Sequence, residues 1–310
     1  MSHHLDPTPP DLSKNVILEA NTPHYATRLS YVWIGNLYPG DVQKRKYSSK
    51  DAKLVAIKVI HDSTADNQTT NDPRFIAKLH KRVNRESRLW FSLSHPNILP
   101  ILGLASRGRF NSPIPAYVMP FCRNGNALAY VQKNPSAPRL PLIRGVADGL
   151  GYLHSQNIVH GDLKAANIMI SSGDHRALIS DFGSSKILKV KGFTTNVAYS
   201  WKYLAIELMI EAQNDRAPAH GTMTTHQSDV WAFGMVCGEI VGGSEVFVKK
   251  HQDRLVLYLD RGGRPTMDEF PNIAKKEADK VWKILEACWV REPSARPSMS
   301  GVIGALSRIK

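Results

Sequence analysis

Cysteine is scarce in this chain. Among 310 residues there are only Cys122, Cys237 and Cys288, too few and too scattered for a disulfide framework or a zinc site. Such sparse usage fits a reducing, intracellular and cytoplasmic setting. Long hydrophobic runs are missing too: no window reaches the roughly 18 apolar residues that a spanning helix needs. The most apolar stretch, Val230 to Val241, is short and interrupted by Gly234, Gly238 and Glu239, so it predicts a buried core helix. The opening MSHHLDPTPPDLSK has no apolar centre and does not read as a secretory signal. A soluble protein with no membrane partner is the expectation.

Acidic residues are outnumbered, 27 against 40 Lys and Arg, which leaves a net charge of +13. A basic balance invites nucleic acid as a partner. The cations are spread along the chain, however, in runs such as Lys44-Arg45-Lys46 and Lys249-Lys250, without zinc-finger spacing, a stacking motif or an arginine-rich arm. Nucleic-acid binding is therefore not expected as the main role. A basic surface that favours acidic partners or substrates fits better, beside the plain alternative of a solvated surface.

What is present is enough apolar material, 42% of residues, for a sizeable core. Residues 1 to about 22, with Pro7, Pro9 and Pro10 and little periodicity, read as an extended or disordered leader. Tyr31 to Ile60 is strand-like, with turn signals at Pro39-Gly40 and Ser48 to Asp51. Asp62 to Asp72 is a polar loop. Asp72-Pro73 then supplies a cap and a first-turn proline, and Phe75, Leu79, Val83, Trp90 and Leu93 follow at helical spacings, with an end before Ser94-His95-Pro96. More strands are predicted through Val118. From about Ala127 the chain is mainly helical, interrupted by a strand-rich stretch over 167–180. The pattern predicts an α+β chain, a smaller β-rich half (about 23–122) with one long helix followed by a larger helical half (about 123–310).

Two sets of residues are out of place. Lys58 lies inside the apolar, β-branched run LVAIKVI, and a buried ammonium costs several kcal/mol unless an anion pairs with it. Glu86 fills the seven-residue gap in the helical stripe between Val83 and Trp90, so a carboxylate points inward. The simplest solution pairs the two; a purely structural ion pair or a snorkelling lysine also satisfies the pattern. The second set is HGDLKAANIMI (His160 to Ile170) followed by SDFG (Ser180 to Gly183). Ile168 to Ile170 and Ala177 to Ile179 read as a hairpin about SSGDHR, which brings Asn167 near Ser180 and sets Asn167 and Asp181 together at its open end. With Asp162 and Lys164 just before the first strand, these hard oxygen ligands and the ammonium suit Mg²⁺ and polyphosphate. The plainer reading, polar residues capping a hairpin, explains the positions but not the choice of amino acids.

Taken together these residues resemble the protein-kinase signature set, over roughly 25–310 and in the same order. The runs CWVREPSARPSM and HPNILPILGL are most similar to the tyrosine-kinase-like branch, especially its fungal serine/threonine members. The resemblance implies a two-lobed kinase fold, ATP and Mg²⁺ as cofactors, and a protein substrate. It makes Lys58 of VAIK the lysine that holds the α- and β-phosphates and Glu86 its helix partner. Asp162 would accept the substrate hydroxyl proton, Lys164 contact the γ-phosphate, and Asn167 and Asp181 hold magnesium. Nucleotide contacts are implied at Gly35, Gly40, Val42, Ala56, Lys58, Pro120 and Cys122. Met119 stands at the gatekeeper position, and Pro120 need supply only a carbonyl to adenine, so its missing N–H is harmless; Cys122 would supply the N–H. Glu207 in AIE would pair with Arg296, and Asp229 would brace the catalytic loop. Lys164 is the serine/threonine form of that loop.

Three departures stand out. Gly35 to Val42 aligns with the phosphate-covering G-x-G-x-x-G-x-V, but Leu37 replaces its second glycine and Pro39 the usual aromatic; leucine there is expected to hold the loop away from the phosphates or simply to pack. Gly161 replaces the arginine that receives an activation-loop phosphate, so Ser184, Ser185, Thr194 and Thr195 have no partner in that loop. Ile206 replaces a proline. An active serine/threonine kinase is expected, with a pseudokinase scaffold or ATP-binding switch as the alternative.

Overall fold

The computed structural model describes residues 8–27, 30–60, 72–106, 112–182, 186–187, 201–213, 224–248, 250–269 and 275–309. The chain divides into two compact units: Met1–Ser94 with Leu99–Cys122, and His95–Ile98 with Arg123–Lys310. The expected loop over 62–71 and the candidate acceptors Ser184, Ser185, Thr194 and Thr195 lie outside the described residues.

The first unit is built on strands β1 (Val16–Leu18), β2 (Tyr25–Ala26), β3 (Ser30–Leu37), β4 (Lys53–Ile60), β5 (Gly103–Ala105) and β6 (Ala116–Pro120), with helix α1 (Pro73–Phe91) between β4 and β5. They form one antiparallel sheet in the order β1-β3-β4-β6-β5, with β2 also paired to β3. Because strand side chains alternate, one face gathers the apolar residues. Val16, Trp33, Val55, Ile57, Val59, Ala105, Ala116 and Val118 are buried together there, with Leu12, Leu18, Leu37 and Leu102 packed against them. Helix α1 begins as its sequence predicts: Asp72 accepts a hydrogen bond from the Arg74 amide at 2.8 Å and Pro73 sits in the first turn. Val83, Leu89 and Trp90 are buried, whereas Phe75 and Leu79, nearer the start, are only half-buried.

The leader expected over 1–22 is corrected for residues 8–22. β1 pairs with β3 from Val16↔Leu37 to Leu18↔Gly35. Ahead of it, the Leu12 amide donates to the Leu104 carbonyl (2.7 Å) and the Leu104 amide to the Pro10 carbonyl (2.9 Å). Pro10 lacks a donor but still accepts, so proline does not prevent this pairing. Leu12, Val16 and Leu18 gain burial against the sheet, which outweighs the weak local preference of the segment.

The second unit contains α2 (Ala127–Lys133), α3 (Arg139–Ser155), β7 (Ile158–Val159), β8 (Ile168–Ile170), β9 (Ala177–Ile179), β10 (Lys186–Ile187), α4 (Ile206–Gln213), α5 (His226–Gly242), α6 (Gln252–Asp260), α7 (Lys275–Cys288) and α8 (Met299–Ser307). β8 and β9 form the predicted hairpin, in register Ile168↔Ile179 to Ile170↔Ala177. Helix α5 is buried from Ser228 to Val241, as its all-round apolar sequence requires. Thr225 caps its start in a reciprocal box with Ser228, and Gly243 ends it with φ +67°. Among the described residues no helix is long and apolar enough to cross a membrane, and all three cysteines are free and buried.

Candidate functional site

In the first unit, β4 places Lys58 between Val32 of β3 and Tyr117 of β6, its direct partners across the two ladders. Residues opposite one another share a face, so Lys58 and Ala56 point away from the apolar cluster, together with Tyr117 and Met119. Helix α1 lies on this face: Trp90 and Tyr117 rings meet at 5.8 Å, and the Trp90 indole donates to the Leu99 carbonyl at 2.6 Å. Glu86, only 4% exposed, projects from α1 onto the same face. Its carboxylate accepts from the Tyr117 hydroxyl at 2.8 Å and from Arg82, one turn back, at 2.7 Å. The sheet thus brings the lysine and the inward carboxylate to one side, with Tyr117 adjoining both. Neither Tyr117 nor Arg82 was anticipated, although Arg82 stands four residues before Glu86, the spacing of a helical ion pair.

The predicted phosphate loop requires correction. Gly35 and Leu37 lie within β3, paired on both edges, and not in a loop. A Cβ on Gly35 would come within 2.7 Å of the Ile57 Cδ1 and 2.8 Å of the Ile17 carbonyl, so this glycine serves close packing of the core face. Gly40 lies in the β3–β4 connection, where a Cβ would collide with the Tyr47 hydroxyl. The Val42 amide is bound to the Lys14 carbonyl at 2.9 Å. Gly40 and Val42 follow the β3 end that faces Lys53, five residues from Lys58. Leu37 packs on the apolar cluster. The half-buried valine opposite Lys58 is Val32, and the turn near that end of the hairpin is closed by Thr27, whose amide donates to the Ser30 carbonyl at 2.8 Å. Thr27-Arg28-Leu29-Ser30 contains no glycine.

Farther along the sheet, Met119 is buried beside Ala56, and Pro120 ends β6 opposite Val55. The Phe121 amide donates to the Leu54 carbonyl at 3.3 Å, holding the following residues against β4. Cys122 is buried, which pushes its thiol up to about 11, and its amide has no acceptor among the described residues.

In the second unit the loop between β7 and β8 is fastened from below by Asp229, in the first turn of α5. One carboxylate oxygen accepts from the His160 amide (2.8 Å) and from His154 Nε2 (3.0 Å); the other accepts from the Gly161 amide (2.9 Å). Burial opposes ionisation of Asp229, but the hydrogen bond and field of His154, the field of His160 and the Gly161 amide outweigh it and hold the carboxyl below its ordinary value. His160 is itself fully buried, contacts the Ser180 carbonyl at 3.0 Å and meets the Phe182 ring edge-on. Gly161 has φ +80°, a conformation that costs glycine nothing and a side chain roughly 1–2 kcal/mol.

Three of the predicted residues converge above this anchor. Lys164 Nζ donates to Asp162 Oδ2 at 2.6 Å, and Asn167 Nδ2 donates to the Asp162 carbonyl at 2.8 Å and to Oδ2 at 3.3 Å. The Ser180 amide and hydroxyl both donate to the Asn167 carbonyl, at 2.8 and 2.9 Å. That closes the open end of the hairpin, so Asn167 and Asp181 flank the same pair of strands. Because Asn167 donates through Nδ2, its amide oxygen could serve as a ligand. Asp181 has φ +66°, strained for a residue other than glycine. Among the described residues no group of three or more His, Cys, Asp or Glu could hold a metal. One carboxylate and one amide oxygen instead suit Mg²⁺, which keeps several waters and takes few protein ligands. A cavity beside Asp162 is lined by Gly161, Tyr203, Ala205, Thr224 and Asp229.

Arg296 binds Glu207 through both guanidinium ends, at 2.7 and 2.6 Å, donates to the Val290 and Gln227 carbonyls, and lies over Trp231. Ile206 is buried next to Glu207, so replacement of the expected proline leaves the pair in place.

The profile of the protein tyrosine and serine/threonine kinase family matches residues 27–306. This chain belongs to the protein kinase family. It is 26% identical to serine/threonine-protein kinase STY46 of Arabidopsis thaliana over 275 residues, 87% of this chain and 42% of that protein. Over 231 residues it is 29% identical to the tyrosine-protein kinase receptor TYRO3 of Xenopus tropicalis, covering 69% of this chain and 24% of the receptor. A third relative, the RGS domain-containing serine/threonine-protein kinase A of Dictyostelium discoideum, is 26% identical over 89% of this chain and 22% of its own length. The chain thus spans less than half the length of these relatives. The kinase fold accounts for the two units, a curled sheet with one long helix and a mainly helical lobe.

Proposed function

We propose that this kinase domain transfers the γ-phosphoryl group of Mg-ATP to serine or threonine hydroxyls of protein substrates. The observation that carries this reading is the Asp162 carboxylate, held by Lys164 at 2.6 Å and by Asn167, in a loop whose backbone is bolted to Asp229. A carboxylate so fixed can orient a hydroxyl and take its proton as the oxygen attacks the γ-phosphorus and the bond to the β–γ bridging oxygen breaks. Lys164 supplies positive charge beside the transferring group. Lys58 would hold the α- and β-phosphates, with Glu86 and Tyr117 next to it. Asn167 and Asp181 would hold Mg²⁺, which neutralises and orients the triphosphate. Positioning and fixed charge supply most of the rate. Lys164 supports serine or threonine as acceptor, although relatives include tyrosine kinases.

One observation favours a second reading, a nucleotide-binding switch with little transfer: the sequence that joins β2 to β3, Thr27 to Ser30, contains no glycine. Purified protein incubated with labelled ATP, Mg²⁺ and a mixed peptide library separates the two. Label on serine and threonine peptides is expected, and Asp162→Asn should lower turnover by a few orders of magnitude while ATP binding, followed by calorimetry, stays nearly constant. Equal residual transfer by wild type and Asp162→Asn would remove the catalytic assignment.

A further inference from the structure

Helix α1 carries a charge pattern that the kinase reading does not use. Over Pro73–Phe91 it holds Arg74, Lys78, Lys81, Arg82, Arg85 and Arg88, against the single acid Glu86, which is buried on the sheet side. Arg74, Lys78, Lys81, Arg85 and Arg88 follow one another at steps of four, three, four and three. At 3.6 residues per turn they fall within an arc of about 80°, opposite Val83 and Trp90, and span roughly 21 Å along the axis. Arg74, Lys78, Lys81 and Arg88 are exposed, and Arg85 is half-buried. Neighbours of like charge at these spacings each cost a helix about 0.2–0.5 kcal/mol. An anion laid along Arg74, Lys78, Lys81 and Arg88 would relieve that repulsion.

We propose that this stripe docks an acidic polypeptide segment of a partner protein along the outer face of α1. Charge complementarity selects an anion, and the rest of the face selects its class. The other exposed positions of the helix are Pro73, Ala77 and Asn84. They offer no aromatic ring to stack on a base and no large apolar side chain to insert into a lipid surface. Successive cations about 5–6 Å apart approach the roughly 6.7 Å between alternate side chains of an extended strand, so aspartates or glutamates on one edge of a peptide can follow the row. Arg82, at the flank of the stripe, stays with Glu86 at 2.7 Å and is not needed for the contact.

The proposal is independent of phosphotransfer and is tested by binding. Anisotropy of a fluorescein-labelled polyglutamate peptide would be titrated with the Asp162→Asn protein at low salt. Lys78→Gln/Lys81→Gln in that background is expected to weaken binding about tenfold, two surface charge contacts' worth. Lys44→Gln/Lys46→Gln, which removes the same charge from another exposed cationic run, should change it less than about twofold by the same measure. Arg74→Gln/Arg88→Gln, at the two ends of the stripe, carries the test if the first variant does not fold. Equal losses in the stripe and control variants would reduce the effect to diffuse charge and overturn the proposal. Tighter capture of single-stranded RNA or of anionic lipid vesicles through the same residues would overturn it as well.

Discussion

Glu239 lies fully buried in α5, and replacing it by glutamine is expected to make the protein more stable, by an amount that grows with pH. One of its oxygens accepts from the Tyr203 hydroxyl at 2.8 Å and the other from the Val246 amide at 3.0 Å. Burial raises its carboxyl from 4.5 to about 7, against the pull of these two hydrogen bonds; nearby Glu245 adds to the rise and Lys202 opposes it. Burial likewise pushes the Tyr203 phenol up, with the charge of Glu239 assisting, so the phenol stays a donor. Between pH 4.5 and about 7 the folded chain keeps a proton that the unfolded chain has released. Stability therefore falls as pH rises through that window and levels off above it. A shift of this size corresponds to about 3 kcal/mol at most.

Glutamine cannot titrate, yet it fits the same contacts. Its oxygen can accept from the Val246 amide, while its amide donates to the Tyr203 oxygen. Thermal unfolding of wild type and Glu239→Gln should accordingly nearly coincide at pH 5 and separate at pH 8. The variant should melt roughly 3–10 °C higher at pH 8, given about 2–4 °C per kcal/mol for a chain of this size. A difference in melting temperature that does not grow with pH, or a glutamine variant that is the less stable at pH 8, would refute the reasoning.

Other perturbations test other parts of the fold. Arg296→Ala should cost about 3–5 kcal/mol, because it strands Glu207 and removes a buried guanidinium; a loss below about 1 kcal/mol in urea unfolding would contradict that. Leu37→Ala should destabilise by about 1–2 kcal/mol through lost packing on the apolar cluster and leave KM for ATP unchanged; a shifted KM with unchanged stability would return Leu37 to the nucleotide. Gly103→Val should displace the N-terminal segment, since a Cβ there meets the Pro10 carbonyl at 2.5 Å and Leu12 Cδ1 at 2.7 Å. Faster limited proteolysis between residues 8 and 15 is the expected readout, and unchanged cleavage would count against the tight seat.

The two units differ in how much of them could be read in advance, and the difference follows sequence distance. The catalytic loop was legible because its partners are local: Lys164 and Asn167 reach Asp162 from two and five residues away, and the β8–β9 hairpin closes over a six-residue connection. Helix α1 announced itself with Asp72-Pro73 and a single apolar stripe. The glycine loop was misplaced because a spaced-glycine pattern says nothing about register. Pairing of Val32 with Lys58 arises across a hairpin whose connection is fifteen residues long, and sliding along it moves Gly35 from a phosphate loop to a packing site. Residues 8–22 failed for a related reason. Their strand has little intrinsic preference of its own and exists through distant pairing with β3 and Leu104, an energy invisible to any local window. Glycine identity at Gly35 and Gly103 thus records close approach of another segment, not freedom of the chain at that point. In this domain a glycine pattern becomes evidence about phosphate only after strand register shows which side of the sheet each glycine faces.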